Sequence, residues 1–321
     1  MKTSEQVLTQ LIQAAPAPLS GEAIAQKLQL SRTAVWKAVQ ELKEEGYQID
    51  SIPRKGYLYQ DNDHLNSAMI QLALQPQIAD FNVRFMPDSA STMNDAKIAA
   101  IEGAPSNTLF LANMQEAPRG RFGRPFFALP GGGIYMSLLL HPQRAFQELP
   151  LYTVMMAVAV CQAIEELTDR KPLIKWVNDL YLDGKKICGI LSEALTDVES
   201  GQLTSIVIGM GLNFHIPEAT FPEAIRVKAG SLFEDTPPIT RNDLIIAIWQ
   251  NFYRILDGAP YLEAYRQRSF VLGRQVTFQQ KGETYTGIAK DILDHGELLV
   301  QLSDGSERRL FSGEISLTSI Q

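Results

Sequence analysis

Lys175-Trp176-Val177-Asn178-Asp179-Leu180, then Tyr181-Leu182, then Asp183-Gly184-Lys185-Lys186-Ile187-Cys188-Gly189-Ile190-Leu191 is the stretch whose reading decides the fold. The first piece reads as a strand ending in a polar turn, and the last as the returning strand of a hairpin. Asn178 and Asp179 alone are common turn formers, and Lys185 and Lys186 at a strand start are commonly solvated. Alternation from Lys186 onward favours more. With Ile187, Ile190 and Leu191 buried, Lys186 stands at the mouth of a site, and Gly189 leaves room for a ligand against the strand. Gly209-Met210-Gly211-Leu212-Asn213 supplies another strand with little side-chain bulk.

Working outward, strands alternate with helices from about Leu65: Asn82 to Met86, Thr108 to Asn113, Gly133 to Leu140, Leu173 to Val177, Lys186 to Thr196 and Leu203 to Asn213 as strands, Met93 to Glu102 and Tyr152 to Thr168 as helices. This predicts a mixed α/β unit. The sequence lacks the G-x-x-x-x-G-K-[ST] phosphate loop, and Gly131-Gly132-Gly133 does not match a dinucleotide fingerprint. The most unusual segment is Pro118-Arg119-Gly120-Arg121-Phe122-Gly123-Arg124-Pro125, with strands on both sides. Its glycines let a backbone approach closely and its guanidiniums bind phosphate oxygens in pairs, so it suits a phosphate. An Arg-Gly-rich linker would share the composition but not the flanking strands.

Length and composition set the outer bounds. The 321 residues predict about two to three domains. A hydrophobic share of 45% with 20% charged residues is an ordinary globular profile, which excludes disordered and collagen-like chains. Cys161 and Cys188 are the only cysteines, and His64, His141, His215 and His295 are scattered, so neither disulfides nor a metal in the free protein is expected. The start MKTSEQVLTQ has no basic and then apolar region, which predicts no secretory signal and a cytoplasmic location. The apolar run Leu149 to Ile164 contains Gln162 and is shorter than the ~20 residues of a membrane span. It reads as a buried helix on a sheet.

The net charge of -7, with a pI near 5.3, counts against a nucleic-acid partner when averaged over the chain. Segmentation reverses this. Residues 1–60 hold seven Lys/Arg and six Asp/Glu, a net of +1, leaving -8 on the remainder. Helices are predicted over Ser4 to Ala14, Gly21 to Leu28 (N-cap Ser20) and Arg32 to Glu45 (N-cap Ser31), the last with Val35, Val39 and Leu42 inward. A turn of about three residues between the second and third is helix-turn-helix geometry. Ser31, Arg32, Thr33, Trp36 and Lys37 then face a groove of DNA, and Arg54 and Lys55 form the basic tip of a wing between Tyr47 to Ile52 and Tyr57 to Tyr59. A small helical accessory domain with solvated charges is the alternative. At the other end, Gln275 to Gln279, Thr284 to Ile292, Leu298 to Leu302 and Ser306 to Phe311 predict a small β-barrel of SH3-like type.

Taken in order, Ser91-Thr92, Gln115, Arg119-Gly120-Arg121-Phe122-Gly123-Arg124, Lys175-Trp176-Val177-Asn178-Asp179, Lys186-Ile187-Cys188-Gly189-Ile190-Leu191 and Gly209-Met210-Gly211-Leu212-Asn213 resemble biotin protein ligase (biotin–acetyl-CoA-carboxylase ligase). With its winged helix the chain resembles the bifunctional form that is also the biotin operon repressor. The resemblance implies an α+β multidomain protein: a winged helix-turn-helix over 1–64, a catalytic domain over 65–270 and an SH3-like domain over 271–321. It implies biotin and ATP as substrates, Mg2+ with ATP, biotinyl-5′-AMP as intermediate, and transfer of biotin to a lysine of a biotin carboxyl carrier protein. Operator DNA and a homodimer formed on binding biotinyl-5′-AMP are the other implied partners, with no membrane.

By the same resemblance Lys186, Arg121 and Asp179 are catalytic. Ser91, Thr92, Gln115, Arg119, Arg121, Lys186, Gly189 and Leu191 hold biotin. Arg119, Gly120, Arg121, Arg124, Phe126, Tyr135, Lys175, Asn178, Asp179 and Asn213 hold the nucleotide, with Phe126 and Tyr135 as aromatic walls. Four positions depart from the family pattern: Pro118 for Gly, Val177 for Pro, Met93 for Asn and Phe126 for Trp. The charged residues persist, so the reaction is expected to survive, with loop behaviour and adenine packing the properties most exposed to change. A biotin-sensing DNA-binding protein without ligase activity and a lipoate-type ligase are the competing functions.

Overall fold

The computed structural model describes residues 2–142, 149–196 and 202–317. The N-terminal unit contains α1 (Thr3–Ala14), α2 (Gly21–Leu28), α3 (Arg32–Glu44), β1 (Gln48–Ile52) and β2 (Gly56–Gln60). Ser20 Oγ accepts the Ala23 amide and Ser31 Oγ the Ala34 amide, both at 3.1 Å, so each cap quenches a helix-end donor. Val7, Leu8, Leu11, Ile24, Val35, Val39 and Leu42 form a core of their own under the β1–β2 hairpin. This is the predicted winged helix, with element ends displaced by a residue or two.

The central unit follows: α4 (Ser67–Leu74), β3 (Asn82–Ser89), α5 (Thr92–Ile101), β4 (Thr108–Gln115), β5 (Gly133–Leu140), α6 (Leu149–Leu167), β6 (Leu173–Lys175), β7 (Asp179–Leu182), β8 (Lys185–Thr196), β9 (Leu203–Asn213), α7 (Glu223–Arg226), α8 (Arg241–Leu256) and α9 (Leu262–Arg268). Its seven strands run in the order β3-β4-β5-β9-β8-β7-β6, and β3 and β4 are the parallel pair. One face is covered by α6, which packs on α8, and carries the main core of Ile134, Met136, Leu138, Ile208, Met210 and Trp249 among others. The helix α6 is long and apolar enough to cross a membrane, but most of it is buried inside the protein, as the sequence reading expected. The other face carries α5 on a smaller cluster of Met93, Ala96, Phe110, Leu139 and Val207.

Two sequence expectations change here. The strand begun at Leu173 stops at Lys175, because Lys175 already pairs with Asp179 across a turn; the hairpin is a three-strand meander, with Asp179 inside β7. The helices α4, α7, α8 and α9 were not foreseen. The signal for α8 is present: Thr240 Oγ1 accepts the Asp243 amide while the Asp243 carboxylate accepts the Thr240 amide, a reciprocal cap that a Thr-x-x-Asp spacing encodes.

The C-terminal unit is β10 (Gln275–Gln280), β11 (Glu283–Ile292), β12 (Leu298–Leu302), β13 (Glu307–Leu310) and β14 (Ile315–Leu317), an antiparallel sheet in the order β13-β12-β11-β10-β14. β14 was missed by the sequence reading, and residues 318–321 lie outside the described residues. Val276, Phe278, Ile292, Leu298 and Val300 belong to the main core, so this unit is packed against its neighbour. Trp176 Nε1 donates to the Gly296 carbonyl at 2.9 Å, tying the site-bearing turn to the C-terminal sheet.

Candidate active site

A cleft opens on the α5 side of the sheet. Its floor is nearly free of side chains, because Gly189 of β8 pairs with Gly211 of β9, and Leu191 pairs with Gly209. A methyl group at Gly211 would lie 2.7 Å from Phe126 Cε1, and one at Gly209 would collide with the Met93 thioether. Glycine is thus required by close approach, with Phe126 and Met93 lying directly on the strands.

One end of the cleft is neutral and polar. Gln115 Oε1 accepts the Thr92 amide at 2.8 Å and the Thr92 hydroxyl at 3.2 Å, and the Thr92 and Ser137 hydroxyls are 2.8 Å apart. Ser91 caps α5 by backbone alone, without a cap hydrogen bond from its hydroxyl. All four residues are buried. Such a set of hydroxyls and an amide suits a small neutral ring with its own donors and acceptors.

The other end is charged. Lys186 Nζ lies 2.7 Å from Asp179 Oδ1. Asn178 Nδ2 donates to the same Asp179 oxygen and to the Ile190 carbonyl, each at 3.0 Å, while its Oδ1 accepts Arg121 Nη1 at 3.1 Å. Arg121, Asn178, Asp179 and Lys186 therefore form one chain of contacts. Burial draws the Arg121 guanidinium below its usual range, and the nearby Asp179 and Glu314 charges oppose that. Arg119 Nη1 donates to the Gly123 carbonyl at 3.3 Å, closing the single 3-10 turn Arg121–Gly123.

A contribution from the C-terminal unit was not foreseen. Arg124 meets Glu314 in a two-pronged ion pair, with Nη2 at 2.6 Å from Oε2. Glu314 lines the cleft with Gly313 and Ile315. The Arg124 hydrogen bond, with the Arg124, Lys175 and Arg121 charges, holds the Glu314 carboxyl below the usual carboxylate range. Ser137 was missed too, although a polar residue within the apolar run Gly133 to Leu140 is a legible signal.

The structure brings together Ser91, Thr92, Gln115, Arg119, Gly120, Arg121, Arg124, Phe126, Lys175, Asn178, Asp179, Lys186, Gly189 and Leu191 on this cleft. Two predicted residues are not there. Tyr135 is fully buried, and its hydroxyl accepts the Leu129 amide at 2.8 Å and donates to the Leu129 carbonyl at 3.1 Å. The segment after Phe126 folds back over it, so Tyr135 supports that segment and is no wall of the cleft. Asn213, at the end of β9, turns away and donates to the Gly230 carbonyl at 2.8 Å. In the N-terminal unit Ser31, Arg32, Thr33, Trp36 and Lys37 on α3 and Arg54 and Lys55 on the hairpin are all exposed. They leave one helix end and one wing tip free for a duplex.

Comparison with known proteins adds three family matches: an HTH domain over residues 3–58, the Biotin/lipoate A/B protein ligase family over 83–213 and the Biotin protein ligase C terminal domain over 271–318. The bifunctional ligase/repressor BirA of Bacillus subtilis (strain 168) is 33% identical over 307 residues, 93% of this chain and 94% of that protein. Its namesake in Escherichia coli (strain K12) is 29% identical over 310 residues, 94% of each chain. Among solved structures, a point variant of biotin protein ligase from Aquifex aeolicus in complex with biotin matches with a TM-score of 0.62 at 25% identity. The match spans 74% of this chain and 98% of that one. The three family matches lie in order along this chain, and with the Bacillus subtilis relative aligned over nearly its whole length the chain belongs to the biotin protein ligase family in its bifunctional ligase/repressor form.

Proposed function

We propose that the protein joins biotin to ATP and passes the biotin to a lysine of a biotin carboxyl carrier protein. The observation that carries this is the cleft itself: a neutral polar end at Ser91, Thr92, Gln115 and Ser137, and a cationic end at Arg121 and Lys186, on one glycine floor. In the first step a biotin carboxylate oxygen attacks the α-phosphorus of ATP. The bond from that phosphorus to pyrophosphate breaks, leaving biotinyl-5′-AMP. Two anions must be brought together for this, and fixed cations lower the barrier by stabilising charge in the transition state. Lys186 meets the carboxylate and the α-phosphate, Arg121 the phosphates, and Phe126 stacks at the adenine side with Lys175 and Asn178 near the nucleotide. Arg119 closes the loop over the intermediate.

In the second step the carrier lysine amine attacks the acyl carbon and AMP leaves with the former carboxylate oxygen. Asp179 orients the amine and receives its proton. Asp179 and Glu314, each already paired to a cation, are the carboxylates on the cleft. A magnesium ion needs few protein ligands when phosphates supply the rest, so this set fits an ion carried in by ATP and oriented by Asp179. When bound, that ion neutralises phosphate charge. Pure protein incubated with ATP, biotin and a carrier domain is expected to give biotinylated carrier; no transfer refutes the ligase.

The repressor half of the reading rests on α3 and the wing. Biotinyl-5′-AMP orders the Arg119 loop and stabilises a homodimer, so that two winged helices meet two operator half-sites. The units are taken as 1–64, 65–270 and 271–321, and the reaction is placed in the cytoplasm. Operator affinity with and without biotinyl-5′-AMP tests the coupling, and equal affinities refute it.

A further inference from the structure

The joint between the winged helix and the catalytic unit is built on Arg241, the first residue of α8. Its side chain is 7% exposed and directs its donors two ways. Toward the linker, Nε donates to Asp63 Oδ2 at 2.9 Å, Nη2 to the Asp63 carbonyl at 2.8 Å, and the Arg241 amide to Asp63 Oδ1 at 2.5 Å. Toward the sheet, Nη1 donates to Asn113 Oδ1 at 3.1 Å and to the Gly133 carbonyl at 3.4 Å. Asn113 lies near the end of β4 and Gly133 opens β5. The second set of contacts therefore grips both roots of the segment that carries Arg119, Arg121 and Arg124.

Neighbouring residues fix the rest of the linker. The Thr240 hydroxyl, 2.8 Å from Asp243 Oδ2, also lies 3.3 Å from Asp61 Oδ2, Asn242 Nδ2 donates to the His64 carbonyl at 2.9 Å, and the Asn66 amide to Asn242 Oδ1 at 3.0 Å. Asn66 is fully buried and donates to the Tyr59 hydroxyl of β2 at 3.2 Å. Asp63 takes a left-handed φ of 62°, so the linker has a definite bend at the residue Arg241 holds. This is a clamped joint, and of these ties Arg241's are the ones that continue to the loop roots.

A guanidinium is a rigid plane whose donors point in fixed directions. A shift of Asn113 or Gly133 relative to α8 must tilt the same plane that binds Asp63. We propose that Arg241 is the positioning residue through which the state of the arginine loop sets the orientation of the DNA-binding unit. The inference rests on the ligand-dependent repressor reading above.

The test separates the two arms. Asn113→Ala removes the shorter of the two loop-side contacts, that at the β4 root, and leaves the Gly133 carbonyl and Asp63 bound, while Arg241→Lys keeps the charge but cannot bridge both partners. DNA duplexes tiling the promoters of the organism's own biotin genes are titrated with ligand-free protein and with protein saturated in biotinyl-5′-AMP. The ratio of the two affinities measures the coupling, which in such systems typically spans about 5- to 150-fold. Asn113→Ala is expected to cut that ratio about fivefold or more. Ligand-free DNA affinity and adenylation kcat and KM are expected to stay at wild-type values. Hydrogen exchange of amides 61–66 gives a readout without DNA: biotinyl-5′-AMP is expected to protect them in the wild type and not in Asn113→Ala. If Arg241→Lys does not fold, Asn113→Ala decides alone. A wild-type ratio of one refutes the repressor reading and this proposal together. A large wild-type ratio that Asn113→Ala retains leaves the repressor reading standing and overturns the role of Arg241.

Discussion

Gly211→Ala tests whether Phe126 is a wall held against the sheet. Gly211 is hydrogen-bonded into the ladder between Tyr135 of β5 and Gly189 of β8, so its backbone has little freedom to retreat. The added methyl would stand 2.7 Å from Phe126 Cε1 and 2.9 Å from Cζ, about 0.7 Å inside ordinary contact at 3.4 Å. The ring has to give way. Overpacking of this kind costs about 1–3 kcal/mol in a closed core. Phe126 is only half-buried, with open cleft on its far side, so the lower part of that range applies, ~1–2 kcal/mol or roughly 5- to 30-fold. The loss should fall on ATP: KM for ATP in pyrophosphate release rises by that factor, with thermal stability little changed. In a Phe126→Leu background, Gly211→Ala should add less than about twofold, because the two effects share one contact. A wild-type KM for Gly211→Ala, or simple additivity in the double variant, refutes the reasoning.

Lys186→Ala should abolish adenylation, measured as pyrophosphate release, because it removes the cation beside Asp179 and the ammonium that stands over Gly189; near-normal rates would remove Lys186 from the mechanism. The interdomain joint should weaken on acidification. Burial first, then the Arg241 charge, holds the His64 imidazole below its usual 6.5 against the opposing pull of Asp63, and its ring edge meets Tyr47 at 4.5 Å. With the folded value lowered, His64's contribution is complete above pH 6.5 and is lost as pH falls from 6.5 through the folded value. Urea unfolding between about pH 5 and pH 7.5 should show this slope, and His64→Gln should flatten it. For DNA, Arg32, Lys37, Arg54 and Lys55 are the cations on the presented faces, so log affinity against log salt should have a slope no steeper than about -4 per subunit. A steeper slope would mean that other cations reach the phosphates.

What could be read from sequence was what depends on near neighbours in the chain. Ser20 and Ser31 announce helix starts three residues before the amides they cap, and Asp183-Gly184 announces the β7–β8 turn. Lys186 does not follow from strict alternation, which would put it on the core face with Cys188 and Ile190; a register shift at Ile187 turns it toward the cleft, where Leu191, expected to be buried, is only half-buried. Tyr135 shows where that logic stops. It shares a face of β5 with Ser137, so periodicity alone gives both the same prospect of lining the cleft. Which of them is covered depends on where residues 127–132 come to rest, and they come to rest on Tyr135. Glu314 is the opposite case. It stands 190 residues from Arg124 and reaches the cleft because the C-terminal sheet docks on Trp176.

The same contacts explain how a loop of three arginines stays folded in an acidic protein. Like charges this close would repel, yet each guanidinium has been given a different acceptor: Arg119 the Gly123 carbonyl, Arg121 the Asn178 side chain, Arg124 the Glu314 carboxylate. Two of the three acceptors are neutral. They satisfy donors without forming an ion pair, so Arg119 and Arg121 stay available to an anion; the Asp179 and Glu314 charges near Arg121 offset part of its field, while its partial burial removes competing water. Arg124 differs, because its charge is already matched and a phosphate that takes it must displace Glu314. The -8 carried outside residues 1–60 is then no obstacle to binding ATP. Screening limits the distant acids to weak effects beyond about 8–10 Å, while the loop's unmatched cations act at contact.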